Sequence, residues 1–470
     1  MINKTKRVAN LNTKGESAHF GLRAREFPSS KTREHQLSEI EQNLERLNRL
    51  AKTWNVATIS RIRGDLKETS LKKALKLLQS RHPQLRARIV GKIKKLRFET
   101  DERIEIPLKI VHKLTTEQFQ EVVSEELNRK FDSSRGLLRT ILVRFAKETQ
   151  LVYLITISHH AISDALSLVH LHSELLSYCQ KPETNPTPLP FLPPPEALFP
   201  RWTRRIKAKL SSILFILRLF GQKAWYRPKT LSIEANAPIA ERRCCIIHEQ
   251  LEPELTKALI TSCKQQGVTV QGALNAALLL AARDKIFSRP KKINVSCQTF
   301  VNLRKYLSSK VGNEHLSCLA SYLLSVHTIT PNTPFWELAR DVRQKIVRGI
   351  EGQDLFHCLI NSQFLTNYIL AHSQQATTTV AVSNLGLLEL SSDYGPYQLE
   401  EISFAGSNNL FAGVVFLNVN TFRGKMLMNF VFSKPSFSGE RMIEIVENTF
   451  DYLKRACAKS RSQPYSAVNR

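Results

Sequence analysis

The strongest hydrophobic pattern in the chain lies at residues 151–157, which read Leu-Val-Tyr-Leu-Ile-Thr-Ile. A nearly uninterrupted apolar run rich in β-branched residues is typical of a strand that is buried on both faces. Downstream, Leu168, Leu171 and Leu175 recur at helical spacing and predict a helix. Residues 158–165, Ser-His-His-Ala-Ile-Ser-Asp-Ala, therefore connect a buried strand to a helix, where rigid scaffolds often present functional side chains.

Strand and helix patterns alternate over most of the remaining chain. Residues 54–63 and 293–301 read as strands, and residues 255–266 read as a helix that ends at Gly267. Two apolar segments at 411–422 and 425–433 flank an Arg-Gly pair, which indicates a hairpin. These patterns together predict an α/β protein.

The best internal boundary is a proline-rich stretch at residues 182–200, where eight prolines predict a stiff, extended linker. The polar and basic ends show no periodicity and predict flexible segments. We therefore divide the chain into a flexible basic arm, an N-terminal half with the His-His segment, a linker with a basic amphipathic helix, a C-terminal half and a tail, at residues 1–33, 34–181, 182–243, 244–457 and 458–470 respectively.

The charge balance predicts anionic partners. Lys and Arg number 68 against 41 Asp and Glu, which gives a formal net charge of +27. Such a balance suits a nucleotide-bearing molecule such as CoA, an acidic carrier protein, an anionic membrane surface or nucleic acid. The basic residues are spread along the chain without the aromatic interleaving of a nucleic-acid reader, so we expect no nucleic-acid partner.

The eight cysteines and the hydropathy pattern favour a cytoplasmic protein. No Cys-x-x-Cys spacing occurs, which indicates free thiols in a reducing compartment. We expect neither a signal peptide nor a transmembrane span, because no uncharged apolar run is long enough. Residues 201–226 are first basic and then apolar, which predicts either peripheral contact with an anionic membrane or a helix packed over the domain junction.

The paired histidines carry the candidate chemistry. A neutral imidazole accepts a proton near pH 7 without a shifted pKa, and Asp164 can orient the loop or pair with a cation. His159 and His160 can also be two hydrogen-bonded loop residues without a catalytic role. We predict no metal site, since no second ligand cluster appears, and no serine nucleophile, since the sequence has no Gly-x-Ser-x-Gly elbow.

His159-His160-x-x-x-Asp164 followed by the small residue Ala165 resembles the HHxxxDG signature of acyltransferases built like chloramphenicol acetyltransferase, with Ala in place of Gly. That superfamily includes condensation domains, polyketide-associated acyltransferases and alcohol acetyltransferases. Similar segments occur in the same order at residues 77–89, 131–139, 302–304 and 383–386.

The resemblance implies a fold of two chloramphenicol acetyltransferase-like halves, each a mixed sheet flanked by helices, with a substrate tunnel at their interface. It implies that His160 is the general base, that His159 and Asp164 shape the loop, and that Arg304 pairs with Asp164. Asn302 precedes this arginine in the same segment. Ser383, Asn384 and Gly386 are expected near the substrate channel, although an ordinary turn explains the last three equally well.

The implied activity is acyl transfer from acyl-CoA to the hydroxyl or amine of an acceptor, in lipid or secondary-metabolite biosynthesis. The thioester is a co-substrate, no cofactor is expected to be bound, and a monomer is expected. One alternative is a stand-alone condensation enzyme that uses thioesters borne by an acyl carrier protein. The other is a catalytically idle homologue that acts as a binding module.

Overall fold

The computed structural model describes residues 34–92, 95–286 and 292–461. The predicted arm at 1–33 and residues 462–470 of the predicted tail lie outside the described residues. The strands of the described part are β1 Glu34–Gln36, β2 Asn55–Arg63, β3 Ala87–Val90, β4 Arg97–Thr100, β5 Leu108–Lys113, β6 Leu138–Phe145, β7 Leu151–His159, β8 Arg243–Leu251, β9 Ile293–Asn302, β10 Ala320–Ile329, β11 Val380–Leu387, β12 Asp393–Tyr394, β13 Tyr397–Gly406, β14 Val415–Phe422 and β15 Lys425–Lys434.

The α-helices cover the faces of the sheets and connect their strands. Their bounds are α1 Glu39–Ala51, α2 Glu68–Arg81, α3 Phe119–Leu127, α4 Ala165–Gln180, α5 Pro195–Leu198, α6 Ile206–Tyr226, α7 Pro253–Gln265, α8 Val270–Ile286, α9 Phe335–Glu351, α10 Asp354–Ile360, α11 Ser362–Ala371 and α12 Gly439–Arg461. Helix α12 therefore continues through the first four residues of the predicted tail.

Two six-stranded mixed sheets form the framework, as the resemblance implied. The first sheet has the strand order β12-β13-β2-β7-β6-β5, and the second has the order β10-β9-β11-β14-β15-β8. Strand β7 lies near the centre of the first sheet, and all nine of its residues are buried. This burial explains its unbroken apolar sequence, because both faces are covered by other elements.

The C-terminal half of the chain contributes strands to the sheet of the N-terminal half, which the sequence did not predict. Strand β13 comes from the C-terminal half but pairs antiparallel with β2 in the first sheet, with Phe404 opposite Thr58. The short β12 continues the same edge. Residues 244–457 therefore contribute two strands to the sheet that carries the His-His segment. The chain passes from the second sheet to the first after β11 and returns to the second sheet at β14.

The His-His segment is held by the start of helix α4. Asp164 is the N-cap of this helix, and its Oδ1 accepts a hydrogen bond from the backbone N–H of Ser167 at 2.9 Å. Ala165 is the first residue of the helix. The position where the signature carries glycine is thus helical in this chain, and alanine is a good helix former there.

The interpretation of residues 383–386 as a turn is wrong, because these residues lie within a strand. Ser383, Asn384 and Gly386 lie inside β11, which continues to Leu387 with a shift of register between Asn384 and Leu387. The shift is a β-bulge in which Gly386 adopts a φ of +78°. Gly386 therefore provides the positive φ that the bulge requires, and the strand continues beyond it.

The segment between the halves contains the predicted basic helix. Residues 201–204 form a short 3₁₀ turn, and α6 follows from Ile206 to Tyr226 against α10. Among the described helices, none combines the length and hydropathy that crossing a membrane requires.

Candidate active site

His160 lies directly after β7, with one ring nitrogen fixed by the backbone. Its Nδ1 is 2.6 Å from the carbonyl oxygen of Ser163. A carbonyl oxygen only accepts hydrogen bonds, so Nδ1 carries the proton in the neutral ring. The Nε2 atom then keeps a lone pair, which is the arrangement that a general base needs.

The side chain of Cys318 is the polar neighbour of His160 on its open side. The two side chains are in hydrogen-bonding contact, and both line the same cavity. Burial disfavours the charged ring and lowers the pKa of His160, but Cys318, the Ser163 carbonyl and the Asp164 carboxylate favour it. These contacts outweigh burial and raise the pKa of His160 to about 9.

His159 is bound in the opposite way and lies behind the site. The backbone N–H of Ala161 donates to its Nδ1 at 3.1 Å, so the ring proton is on Nε2. This Nε2 lies 3.0 Å from Oε2 of Glu45 on α1, and both side chains are fully buried. His159 therefore has no free lone pair for a substrate.

Glu45 is ionised in this buried setting because it has several hydrogen-bond donors. Burial alone raises the pKa of a carboxyl group, but the hydrogen bond from His159 is reinforced by Ser133 and Arg49. These partners lower the pKa of Glu45 to about 2. The pair ties α1 to the end of β7.

Asp164 and Arg304 form the expected ion pair across the two halves. Nη1 of Arg304 is 2.7 Å from Oδ2 of Asp164, and Nη2 is 3.3 Å from Oδ1. Burial raises the pKa of Asp164, but Arg304 outweighs it and holds this pKa below its usual value. Oδ2 also accepts from the backbone N–H of Leu319 at 3.1 Å, which fixes the residue next to Cys318.

Asn302 supports this pair from the end of β9. Its Oδ1 accepts a hydrogen bond from the backbone N–H of Arg304 at 3.0 Å and also lies 3.4 Å from Nη1 of that residue. The asparagine therefore orients the arginine that holds Asp164.

Two cavities meet at His160. The larger cavity contains about 1470 Å³ of empty space, partly open to solvent, and the smaller contains about 940 Å³. They share walls that include residues of both halves of the chain: Trp54, His160, Phe300, Ala320 and Phe411. Because Ser163 binds Nδ1, Nε2 is the ring nitrogen of His160 that remains for a molecule bound in these cavities.

The larger cavity suits an apolar chain. Its walls come from α1, α6, β10 and α11 and are mainly aliphatic or aromatic, including Leu44, Leu47, Leu219, Leu365 and Ile369. Ligand pockets of this kind bind hydrophobic groups, with a few polar atoms that set orientation.

The smaller cavity is more polar and contains most of the residues that the sequence selected. Its walls include Asp164, Asn302, Arg304, Ser383 and Asn384, but not Gly386 or His159. Oδ1 of Asn384 accepts from the backbone N–H of Gly386 at 2.9 Å, so these two residues stabilise the bulge in β11.

Three polar side chains of the smaller cavity lack partners within the part of the chain that the structure describes. They are Trp54 at Nε1, Asn55 at both side-chain polar atoms, and Asn418 at Nδ2. Unpaired buried polar atoms cost free energy, and these three residues lie in the wall of the smaller cavity. Trp54 also has a φ of +64°, which is rare for a bulky residue, and its ring centroid lies 5.8 Å from that of His160.

Three neighbours of the paired histidines were not predicted from the sequence: Glu45, Cys318 and Trp54. Glu45 lies within a helix whose pattern is otherwise amphipathic, and a buried charge at such a position is a usable signal. Nothing in the local sequence of Cys318 or Trp54 indicates contact with His160, since both residues lie far from it along the chain, just before β10 and β2 respectively.

The chain is similar to known proteins in both sequence and fold. The cyclosporin synthetase of Tolypocladium inflatum is 22% identical over 447 residues, which are 88% of this chain; the chain spans 3% of that protein's length. The structure of polyketide synthase associated protein 5 from Mycobacterium tuberculosis aligns with a TM-score of 0.64 at 15% identity, covering 90% of this chain and 98% of that one. Trichothecene 15-O-acetyltransferase from Fusarium sporotrichioides aligns with a TM-score of 0.70 at 11% identity, covering 90% and 95%.

Those two structures share the fold, and family models give the assignment. The model for the C-terminus of phthiocerol/phthiodiolone dimycocerosyl transferase matches residues 242–402. The condensation-domain model matches residues 37–283, which is more than half of the sequence and includes the His-His segment. The chain therefore belongs to the condensation-domain family.

Proposed function

We propose that this protein transfers an acyl group from acyl-CoA to the hydroxyl or amine of an acceptor, with His160 as general base. The observation that carries the proposal is the fixed tautomer of His160 at the junction of the two cavities. Its Nδ1 proton is held by Ser163, which leaves Nε2 as the ring nitrogen for a reactant at the wall that both cavities share.

In the proposed reaction His160 moves one proton twice. The acceptor oxygen or nitrogen attacks the thioester carbonyl while Nε2 takes its proton, displacing the contact with Cys318. The carbon–sulfur bond of the resulting tetrahedral intermediate then breaks, and the imidazolium returns the proton to the leaving thiolate. The acyl group ends on the acceptor, free thiol is released, and the chain is unchanged.

We assign the acyl chain to the larger cavity, because its walls are apolar. The polar part of the reactants is assigned to the smaller cavity, where Asn55 and Asn418 have unsatisfied polar atoms. This division places the reacting carbonyl between the cavities, beside His160.

Trp54 is our candidate donor for the oxyanion. Its indole Nε1 is a buried hydrogen-bond donor without a partner among the described residues, and its side chain borders both cavities. A donor already oriented in a site that excludes water stabilises charge that develops on the carbonyl oxygen.

His159, Asp164 and Arg304 act as positioning residues in this proposal. His159 is held by Glu45 away from both cavities, and Asp164 is occupied by Arg304 and two backbone N–H groups. Their contribution is to fix the loop that carries His160 and the segment that carries Cys318.

Membership of the condensation-domain family favours a second donor, a thioester borne by an acyl carrier protein. The proton transfers are the same for both donors, because each is a thioester that releases a thiol. No bound metal or organic cofactor takes part in either version of the proposal.

The test is thiol release from acyl-CoAs of increasing chain length, with mixed alcohol and amine acceptors. The native chain is compared with His160→Ala and with His112→Ala, which changes an exposed histidine outside both cavities. We expect acceptor-dependent release by the native chain and the control, and a loss of roughly 100- to 10,000-fold in His160→Ala.

Release only from acyl-loaded carrier protein would select the second donor. If folded protein releases no thiol from either donor, the proposal fails and a binding role is favoured.

A further inference from the structure

Helix α6 presents an uncovered apolar face to solvent. Five aliphatic residues at helical spacing form this face, and more than half of each side chain is exposed: Ile206, Leu210, Ile213, Leu214 and Leu217. The inward residues Ala208, Ser212 and Phe215 are buried on the opposite side of the same helix. The helix therefore has two apolar faces, and only one of them packs against the protein.

Basic residues border the exposed face on both sides. With 100° per residue, Lys209 falls on one border of the aliphatic row, and Lys207 and Arg218 fall on the other. From residue 197 to residue 233 the sequence has nine Lys and Arg and no Asp or Glu. An apolar face between basic borders is the pattern of a helix that lies in the headgroup region of an anionic bilayer.

The same helix forms a wall of the larger cavity. Leu219, Phe220, Gln222 and Lys223 line that cavity, and Gln222 and Lys223 are exposed at its outer end. The cavity thus reaches the surface at the C-terminal part of α6 and continues inward to His160. Trp225, which is 82% exposed, lies one turn beyond this point. Tryptophan is enriched at the interface between membrane and water.

We propose that the exposed face of α6 docks on an anionic lipid bilayer and that a lipid-borne substrate chain passes beside α6 into the larger cavity. The docking surface consists of Ile206, Leu210, Ile213, Leu214 and Leu217 with Lys207 and Lys209. The second part of this inference rests on the proposed acyl transfer, because it identifies the substrate as a long-chain molecule that partitions into the bilayer.

The charge of the surface argues against two other occupants. A second copy of the chain would bring the same basic borders together in a symmetric contact, which like-charge repulsion opposes. Residues 1–33 carry eight Lys and Arg against two Glu, so this segment has the same sign of charge as the borders. An anionic bilayer supplies both the opposite charge and the apolar interior.

The test of docking is co-sedimentation of the full chain with vesicles of phosphatidylcholine alone or mixed with phosphatidylglycerol. We expect binding only to the anionic vesicles, weakened by added salt. Lys207→Glu with Lys209→Glu should lower the partition coefficient roughly tenfold or more. Leu214→Ser with Leu217→Ser should have a similar effect through lost apolar burial. The matched control is Lys257→Glu with Lys264→Glu, which makes the same charge change on α7.

Turnover separates the two parts of the inference. With a long-chain acyl-CoA presented in anionic vesicles, the α6 variants should lose activity, whereas with a short-chain acyl-CoA in water they should match the native chain.

Equal binding by native, α6-variant and control proteins would overturn docking. A native dimer that dissociates in Leu214→Ser/Leu217→Ser would overturn docking too and would assign the surface to a second copy. Normal vesicle turnover by variants that no longer bind would overturn substrate delivery. Vesicle binding without turnover of any thioester would support docking and would overturn the acyl-transfer proposal together with the substrate delivery that rests on it.

Discussion

Nε2 of His159 lies 3.0 Å from Oε2 of Glu45, and this contact separates the roles of two adjacent histidines. The Ala161 amide occupies the remaining nitrogen of His159, whereas Ser163 binds Nδ1 of His160 and leaves Nε2 free of backbone contacts. Neighbouring residues of one type thus have opposite tautomers. Of these two histidines, only His160 borders the cavities.

Removing the charge of Glu45 should reduce stability, and the reduction should depend on pH. The pKa of Glu45 is about 2 in the folded protein and near 4.5 when unperturbed, so its contribution is complete above about 4.5 and is lost as pH falls towards 2. This difference in pKa corresponds to at most about 3 kcal/mol. We expect Glu45→Gln to lower the urea midpoint at neutral pH and to flatten its fall between about pH 4.5 and pH 2.

The matched control for that measurement is Glu68→Gln, which changes an exposed carboxylate on α2. It should change the free energy of unfolding by no more than about 0.5 kcal/mol. A urea midpoint of Glu45→Gln that follows the native pH dependence would show that the buried pair does not carry this linkage.

The raised pKa of His160 predicts a rate that increases with pH. As the proposed general base, His160 must be neutral to accept a proton, and its pKa of about 9 leaves it mostly protonated near pH 7. We therefore expect kcat/KM to rise from pH 7 and to level off above about 9. Cys318→Ala removes one of the contacts that favour the charged ring, so its profile should shift to lower pH.

Cys179→Ala is the matched control for the pH profile, because Cys179 is buried but lines neither cavity. Its profile should coincide with that of the native chain. A native profile that is flat between pH 7 and 9, or a Cys318→Ala profile that does not move, would contradict the assigned contact.

The features that the sequence predicted well are local ones. The burial of β7 follows from its own apolar run, and helix α4 follows from the helical repeat of Leu168, Leu171 and Leu175. The pairing of Asp164 with Arg304 was expected only through the resemblance, because the two residues are 140 positions apart. Sequence spacing alone contains no information about such a contact.

The features that the sequence did not predict depend on tertiary register. Strand β13 joins the first sheet although its residues lie 335 to 350 positions from their partners in β2. Cys318 reaches His160 because Leu319 is bound by Asp164, and the bulge in β11 depends on its pairing with β14. In each case a long-range contact decides the local geometry.

Breaking the ion pair between Asp164 and Arg304 should reduce both stability and rate. Either Asp164→Asn or Arg304→Gln leaves a buried partner without its counter-charge, at a cost of about 3–5 kcal/mol. The double variant should be less destabilised than the sum of the two, with a coupling of roughly 1–3 kcal/mol in urea unfolding. Because Asp164 also fixes Leu319, we expect kcat to fall on the order of 100-fold in folded Asp164→Asn.

Arg304→Lys distinguishes geometry from charge, since lysine keeps the charge but cannot form two parallel hydrogen bonds. We expect it to remain folded near neutral pH and to show an intermediate kcat. Additive effects of the two single variants in the unfolding measurement would argue that the pair is not coupled.

Trp54→Phe should slow catalysis without weakening substrate binding. The change removes the indole N–H while keeping an aromatic ring between the cavities, so it isolates the proposed oxyanion donor. Loss of one such donor lowers kcat roughly 100- to 1000-fold, and KM should change little because the charge develops only in the transition state. The pH profile should keep its position, since this substitution leaves the hydrogen bond at Nδ1 of His160 in place.

Trp202→Phe makes the same exchange outside both cavities and should retain native kcat. A normal kcat in Trp54→Phe would exclude this indole as the donor, and a raised KM at unchanged kcat would assign it to substrate binding.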